Sequence, residues 1–310
     1  MTCQSLHVHT TFCDGKSTPE EMVRGALAAG CTSLGFSGHS YLPFDDSWTM
    51  KAGDLPRYRE EILRLRQQYA GQLEIFLGLE QDLLSADPGP GWDYRIGSVH
   101  CVEKDGAHLS VDGSADRFQA DAARHYGGDF LAYAADYYRL EAQVVQRTGC
   151  QIVGHFDLIT KFNEGGRFFD EGDRRYQDAA LAALDALLET DAVFEINTGA
   201  ISRGYRTTPY PSPFLLRRIQ ERGGRITITS DSHSAGTVLY GYADAFALAR
   251  SCGFGEYWIL TADGFQAVPI PVKHQNGRPW KDVRFFFTGG QNPPRRAGSP
   301  GGCSYFFLAL

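Results

Sequence analysis

The segment Leu6-His7-Val8-His9-Thr10, closing on Asp14-Gly15, reads as a β-strand that carries two imidazoles into a turn. Side chains alternate faces along a strand, so His7 and His9 point to one side, close enough to share a metal ion. A His-x-His pair alone is weak evidence. Its meaning depends on whether later segments bring matching ligands to the same place.

Moving outward, strand and helix signals alternate. Thr18-Pro19-Glu20-Glu21 is a capping box with proline at the first helical position, and it predicts a helix through Met22, Val23, Ala26 and Leu27 that stops near Gly30. Residues 33–37 read as a strand ending in Gly38-His39-Ser40. Asp54 is expected to cap a helix with Tyr58, Ile62, Leu65 and Tyr69 at helical spacing and Gly71 as its stop. Residues 73–79 read as a strand leading into Glu80, and 96–99 as one leading into His100. The region 103–129 reads as a polar, irregular insertion, and 130–147 as one long helix. Residues 151–154 form a strand delivering His155, followed by a helix over 174–189 and a strand over 192–196 that carries Glu195 and then Asn197. A helix opens at Ser212-Pro213 and ends at Gly223-Gly224. The strand 225–229 runs into Ser230-Asp231-Ser232-His233, and a helix over 243–250 and a short candidate eighth strand over 257–260 complete the pattern.

Seven strand–helix alternations favour a parallel sheet built from right-handed βαβ units. The chain contains no Gly-x-Gly-x-x-Gly or Gly-x-x-x-x-Gly-Lys-Ser/Thr loop of a nucleotide-binding open sheet. A closed α/β barrel is therefore the expected architecture.

Composition narrows the function classes. The 310 residues are 43% hydrophobic, ordinary for a chain with a real core, and the formal net charge of −7 offers no global field for nucleic acid. No stretch approaches the roughly 20 apolar residues of a membrane span, and the N-terminus does not read as a secretory signal. The seven scattered cysteines include no Cys-x-x-Cys and read as free thiols of a reducing cytosol, so a cytoplasmic location is expected. The character changes after residue 272. Residues 273–310 carry six Lys/Arg against Asp282 alone, +5 against −12 for the remainder, with Gly/Pro-rich runs that cannot pack a core. The expected division is a catalytic domain over 1–272 and a basic, poorly ordered tail over 273–310.

Laid over the strand map, the polar residues show one regularity. His7, His9, His39, Glu80, His100, His155, Asp231 and His233 each fall at or just past the end of an expected strand, and Asp14 lies in the first such loop. In a parallel barrel those ends open on one face, where active sites form. His108, His125 and His274 are expected in surface loops. So many polar groups in one cavity would each cost several kcal/mol without compensation, which bound cations provide. Imidazoles with carboxylates suit Zn, Fe, Mn or Co over Ca or Mg. Nine ligands fit two or three ions, Glu80 is placed to bridge a pair, and such clusters serve phosphate-ester hydrolysis.

The set His7-x-His9, Asp14, His39, Glu80, His100, His155, Asp231-x-His233 resembles the metal-ligand pattern of the PHP (polymerase and histidinol phosphatase) superfamily. Phe12-Cys13-Asp14-Gly15, Ser37-Gly38-His39-Ser40, Gly78-Leu79-Glu80-Gln81-Asp82 and Ile96-Gly97-Ser98-Val99-His100 resemble its histidinol-phosphate phosphatase branch. Gly154-His155-Phe156-Asp157-Leu158 and Glu195-Ile196-Asn197-Thr198-Gly199 do so too, and the likeness covers residues 6–271. It departs at Gly38, where many relatives place an acidic residue. The resemblance implies a distorted (β/α)7 TIM-like barrel with a trinuclear centre of divalent transition metals. One ion would be held by His7, His9, Glu80 and Asp231, a second by Glu80, His100 and His155, and a third by Asp14, His39 and His233. The expected chemistry is in-line attack on phosphorus by a hydroxide held between two ions, with Glu80 bridging and Asp231 and His233 as candidates for proton handling. Lys161, Arg203 and Arg206 follow strand ends and are candidate phosphate ligands, and Asn197 either holds substrate or caps the turn before Gly199. The resemblance implies L-histidinol phosphate as a small phosphorylated substrate, with another PHP phosphoesterase as the alternative and a nucleic-acid-processing module as a weaker one. The protein is expected to act as a monomer or small homo-oligomer, with no nucleic-acid or membrane partner.

Overall fold

The computed structural model describes residues 3–271. The basic segment 273–310, with His274, lies outside the described residues. The chain begins with β1 (Gln4–Ser5), α1 (Pro19–Ala29), β2 (Ser33–Phe36), α2 (Leu55–Gln68), β3 (Glu74–Asp82) and β4 (Tyr94–Ser98). A hairpin of β5 (Cys101–Lys104) and β6 (Ala107–Ser110) leads through α3 (Ala115–Tyr126), α4 (Phe130–Glu141) and α5 (Val144–Thr148) to β7 (Ile152–Val153). Then come α6 (Arg174–Leu188), β8 (Val193–Asn197), α7 (Gly199–Ser202), α8 (Pro213–Glu221) and β9 (Arg225–Thr229). The described chain closes with α9 (Tyr242–Ser251), β10 (Glu256–Thr261) and β11 (Gly264–Pro269).

Seven strands pair in parallel in the order β1-β2-β3-β4-β7-β8-β9. The two outer strands then meet beyond their regular pairing. Val8 bridges Ser232 in the parallel sense. The His9 amide donates to the Ser232 carbonyl at 2.9 Å, and the Ser232 amide to the His7 carbonyl at 3.1 Å. Across the same seam the Tyr242 hydroxyl lies 2.9 Å from both the Gln4 and Ile228 carbonyls. The result is the expected distorted, nearly closed (β/α)7 barrel, whose closure removes the unpaired edges an open sheet would expose.

Local chemistry explains the helices. Thr18 and Glu21 form the capping box, with the Glu21 amide donating to Thr18 Oγ1 at 3.3 Å and the Thr18 amide to Glu21 Oε2 at 2.8 Å. Gly30 ends α1 at φ 81°, a left-handed conformation that glycine adopts without a Cβ penalty. Inside the barrel, Tyr94 fills the floor with Leu6, Phe76, Ile96, Ile152 and Leu260. Its hydroxyl donates to the Leu6 carbonyl and lies 3.2 Å from that of Phe36. Tyr94 packs so closely on β2 and β3 that a Cβ at Gly35 or Gly78 would overlap its ring or hydroxyl. Those two glycines are the space Tyr94 occupies.

Several expectations need correction. The opening strand is shorter and earlier than residues 6–10, with only the Val8 bridge continuing it, and Glu80 lies inside β3 rather than after it. Asp54 precedes α2 but makes no capping bond. Its carboxylate pairs instead with Arg57 at 3.0 Å. The region 103–129 is not irregular: it holds most of the β5–β6 hairpin and all of α3. Asp105 and Gly106 both have positive φ, 51° and 76°, the turn that an Asp-Gly pair favours between two strands. Ser114 caps α3 by accepting from the Arg117 amide at 3.2 Å, and Gly127 ends it. The long helix over 130–147 is broken into α4 and α5, and the Arg139 carbonyl near the break takes the Gln143 side-chain amide at 2.7 Å. The eighth strand does not join the barrel. β10 pairs antiparallel with β11, and the Gln4 side-chain amide bonds the Leu260 main chain, donating to its carbonyl and accepting from its amide, both at 2.8 Å.

One core residue breaks the apolar rule. Glu141, at the end of α4, is 1% exposed, and neither carboxylate oxygen has a hydrogen-bond partner. Burial pushes its pKa well above the usual carboxylate range; His100 opposes this, and the Asp82, Asp157 and Glu195 carboxylates reinforce it.

Two stability experiments follow from this packing. Gly78→Ala forces a methyl into Tyr94 and is expected to lower unfolding free energy by about 1–3 kcal/mol in urea denaturation. Glu141 keeps its proton in the folded protein at pH values where the unfolded chain has lost it. Its contribution to stability therefore falls as pH rises above 4.5, by up to about 1.4 kcal/mol per pH unit until the folded-state pKa is reached. Glu141→Gln removes that slope, so the advantage of the variant should widen from acid toward neutral pH. Parallel stability curves for the two proteins would show that the carboxyl has found a partner.

Candidate metal centre

The strand ends set the positions. His7 and His9 follow β1, His39 follows β2, Glu80 sits in β3, and His100 and His155 each lie two residues past β4 and β7. Asp231 and His233 follow β9, across the seam from His7 and His9. The turn that returns Asp14 toward His9 depends on Gly15, whose Cβ would overlap the Thr10 amide and the end of His9. All nine side chains converge on one cavity floor.

Glu80 is the hub. Its Oε2 lies 2.8 Å from His39 Nδ1, 3.1 Å from His7 Nε2 and 3.4 Å from His9 Nε2. Its Oε1 lies 3.0 Å from His155 Nε2 and 3.4 Å from His100 Nε2, and accepts from the Ser98 hydroxyl at 2.7 Å. Asp231 Oδ1 is 3.2 Å from His9 Nε2 and 3.5 Å from His233 Nδ1. Asp14 joins from the other side, 3.1 Å from His233 Nε2 and 3.6 Å from His39 Nε2. Three groups of donor atoms lie close enough to hold a common ion: His7, His9 and Glu80; His39, Glu80 and His100; and His9, Asp14, His39 and His233.

The residues present fit a metal. His7 Nε2, His9 Nε2 and Glu80 Oε2 are buried, face one another, and have no hydrogen-bond partner. Such orphaned atoms are costly unless something completes them, and a cation accepts all three lone pairs at once. The electrostatics agree. Burial lowers the His7 pKa, but Glu195, Glu80 and Asp231 outweigh it and hold the imidazole well above its ordinary 6.5. Burial and the neighbouring His39 and His233 push His9 down to about 3. Glu80 and Asp231 stay well below the usual carboxylate range despite burial, Glu80 chiefly through His7 and His39, Asp231 chiefly through Arg203 and His7. The carboxylates concentrate negative charge around His7, and a bound cation would compete with the proton that they favour there.

Orienting groups surround the cluster. Glu195 accepts from His7 Nδ1 at 2.9 Å, and also from the Thr229 hydroxyl, the His155 amide and Asn197 Nδ2. Asp82 does the same for His100, taking its Nδ1 at 3.0 Å and its amide at 2.9 Å. These bonds fix which ring nitrogen faces the cavity. The pattern Glu80-x-Asp82 could have revealed Asp82, since strand alternation puts both on one face. Asp231 sits at φ 45°, and Arg203 clamps it, Nη1 on its carbonyl at 3.0 Å and Nη2 on Oδ2 at 2.9 Å. A side chain at Gly199 would collide with that pair, its Cβ only 2.7 Å from Asp231 Oδ2.

The candidate phosphate ligands separate. Lys161 and Arg203 line the cavity, which measures about 810 Å³. Lys161 Nζ is held by the Asp112 carbonyl at 2.8 Å and Oδ2 at 3.3 Å. Arg206 is not among the lining residues; its Nη1 donates to the Thr160 carbonyl at 2.6 Å, behind the wall. Asn197 is buried, and its Oδ1 accepts from the Gly199 amide at 2.8 Å, the turn-capping arrangement. The walls come from Asp45 and Trp48 on one side, Ser110 and Asp112 at the end of the hairpin, and the half-exposed Tyr205 opposite. Trp48 stands edge-on to His39 and His100, with ring centroids 4.6 and 5.1 Å apart. His108 and His125 lie away from the cluster, beside Glu103 and Asp105.

Comparison with known proteins agrees with this geometry. The family model described as PHP domain matches residues 5–199. A Deinococcus radiodurans protein named probable histidinol-phosphatase is 34% identical over 270 residues, 81% of this chain and 94% of the relative. The Bacillus subtilis histidinol-phosphatase is 29% identical over 259 residues, 76% of this chain and 95% of the relative. Among solved structures, a Listeria monocytogenes protein assigned as a histidinol phosphatase superposes with a TM-score of 0.70 at 23% identity, covering 78% of this chain and 99% of its own. The Lactococcus lactis histidinol phosphate phosphatase, complexed with zinc, L-histidinol and phosphate, gives 0.61 at 23% identity, covering 85% and 98%. These two likenesses establish the shared fold.

Proposed function

The chain belongs to the PHP domain family, and we propose that it is a metal-dependent phosphomonoesterase that hydrolyses L-histidinol phosphate to L-histidinol and phosphate. One observation carries the hydrolase reading: six imidazoles and three carboxylates meet on one cavity floor with buried, unpartnered donor atoms facing inward. The choice of ester follows the relatives, which are named histidinol-phosphatases over most of their length. A role in histidine biosynthesis follows from that reaction. A cytoplasmic location accords with free thiols at all six described cysteines and with the absence, among the described residues, of a helix able to cross a membrane.

In this reading three sets of residues would hold the ions: His7, His9, Glu80 and Asp231; Glu80, His100 and His155; and Asp14, His39 and His233. Two or three divalent transition-metal ions (Zn, Fe or Mn) would supply Lewis-acid neutralisation of the phosphoryl oxygens and acidify a water molecule. The protein does the rest. Glu195 and Asp82 hold the Nδ1 protons of His7 and His100, leaving Nε2 free on each ring. Glu80 turns Oε2 toward His7 and His9 and Oε1 toward His100 and His155, and so joins the first two sets. Lys161 and Arg203 supply cationic N–H donors to the phosphate dianion from the cavity wall. Asp231 and His233 are placed to move a proton toward the departing alkoxide, with the His233 side chain 18% exposed to the cavity. Arg206 and Asn197 support this wall from behind through Thr160 and Gly199.

The test is phosphate release by metal-quantified protein from histidinol phosphate, a nucleoside monophosphate and single-stranded DNA. Release from histidinol phosphate with at least two transition-metal ions per chain is expected; activity on the other two alone would sink the reading. Glu195→Gln should weaken metal retention about 10- to 100-fold, read as the chelator concentration that strips half the metal. Unchanged retention would remove Glu195 from the orienting role.

A further inference from the structure

A phosphatase for an amino-alcohol ester must recognise a cation next to a dianion. The metal-ligand set and its cationic neighbours address only the phosphate. Two other carboxylates line the cavity, Asp45 and Asp112. Those of Asp45 are already committed: Oδ1 accepts from the Ser47 amide at 3.1 Å and hydroxyl at 2.7 Å, and Oδ2 from Trp48 Nε1 at 3.2 Å. Asp112 is not saturated. Its Oδ1 accepts from the Ser110 hydroxyl at 3.2 Å and its Oδ2 from Lys161 at 3.3 Å. A carboxylate has about four acceptor positions, which leaves room for further donors. The Asp112 side chain is 27% exposed, at the end of the β5–β6 hairpin, and it lies within electrostatic reach of His39, His100 and His155.

We infer that Asp112 is the specificity residue that receives the ammonium group of the substrate, which makes the cavity selective for phosphate esters of 2-amino alcohols over neutral esters. The inference rests on the phosphomonoesterase reading above. In such an ester the amino-bearing carbon is one carbon removed from the ester oxygen. With the phosphoryl group held by the cluster residues, the ammonium would lie only a few bonds away in the same cavity, whose lining includes both those residues and Asp112. Lys161 and Asp112 then divide the work, the lysine facing the dianion and the carboxylate facing the cation. This arrangement also explains why Lys161 is tethered mainly by the Asp112 main-chain carbonyl, at 2.8 Å, rather than by the carboxylate. The side chain keeps acceptor capacity while the lysine stays anchored.

That tether makes Asp112→Asn a clean probe, because the main-chain bond to Lys161 survives the substitution. The measurement is kcat and KM for L-histidinol phosphate, 2-aminoethyl phosphate and propyl phosphate, with wild-type and variant enzyme at equal metal content. Wild type is expected to prefer 2-aminoethyl phosphate to propyl phosphate. In Asp112→Asn that preference should fall about 10- to 100-fold, mainly through KM, with Asp112→Glu recovering part of it. An equal fall on all three esters would overturn the inference, since it would mark Asp112 as a support for Lys161 alone. Wild-type enzyme inactive on every monoester would instead overturn the phosphomonoesterase reading and this inference with it. If Asp112→Asn does not fold, inhibition of wild type by L-histidinol and by its deaminated analogue decides. Stronger inhibition by the amine supports recognition of the ammonium, and equal inhibition overturns it.

Discussion

Everything at the candidate centre depends on one short stretch of backbone pairing, the parallel bridge between Val8 and Ser232. It joins the first and last barrel strands through two amide–carbonyl bonds, one on each side of the bridge. The two bridge residues are flanked by candidate ligands: Val8 by His7 and His9, Ser232 by Asp231 and His233. Pairing one residue out of register would turn one of these pairs away from the cavity, because such a slip exchanges the faces of a strand. Barrel closure and site assembly are therefore a single event. Tyr242 bonds both strands and so ties the two sides of that seam, while Tyr94, filling the floor inside, anchors the Leu6 side.

The cost of this assembly is a dense knot of buried charge. Glu80, Asp231, Glu195 and Asp82 are each no more than 4% exposed. A carboxylate so placed persists only when donors surround it. Glu195 meets this with four donors from four segments, and Asp231 with the two-point clamp of Arg203. Glu80 is the exception. Its Oε2 is left facing imidazoles without a hydrogen bond, which is the state expected of a ligand rather than of a structural acid. Glu141 shows the contrast: with no donor and no cation, burial drives it toward the neutral form.

The walls above the cluster are made by a different part of the chain. The β5–β6 hairpin and the turn after it carry Ser110 and Asp112 to the cavity, and the stacking of His108 on Phe44, with ring centroids 3.7 Å apart, joins the hairpin to the loop that holds Asp45 and Trp48. The barrel supplies the floor with its candidate ligands, and this insertion supplies part of the wall above it. The division follows from geometry. Strand ends fix the candidate ligands, whereas the hairpin and helices between His100 and β7 contribute no ligand of the set.

The sequence by itself determined the alternation of strands and helices, the capping box of α1, and the nine candidate ligand positions. These are local properties, written in periodicity and in residues such as Thr18, Glu21 and Gly30. The hairpin turn at Asp105-Gly106 was equally local and legible, yet it was hidden by the polar composition around it. Other features belonged to tertiary structure alone. The break between α4 and α5 has no glycine or proline to announce it, and β10 pairs with β11 outside the seven-stranded sheet. Arg206 and Asn197 followed strand ends as Lys161 and Arg203 did, but packing turned them toward Thr160 and Gly199 while the other two faced the cavity. Sequence position specifies which end of a strand a residue occupies. The direction of a long side chain there is set by the neighbours that compete for its donors, and those neighbours come together only in the folded barrel.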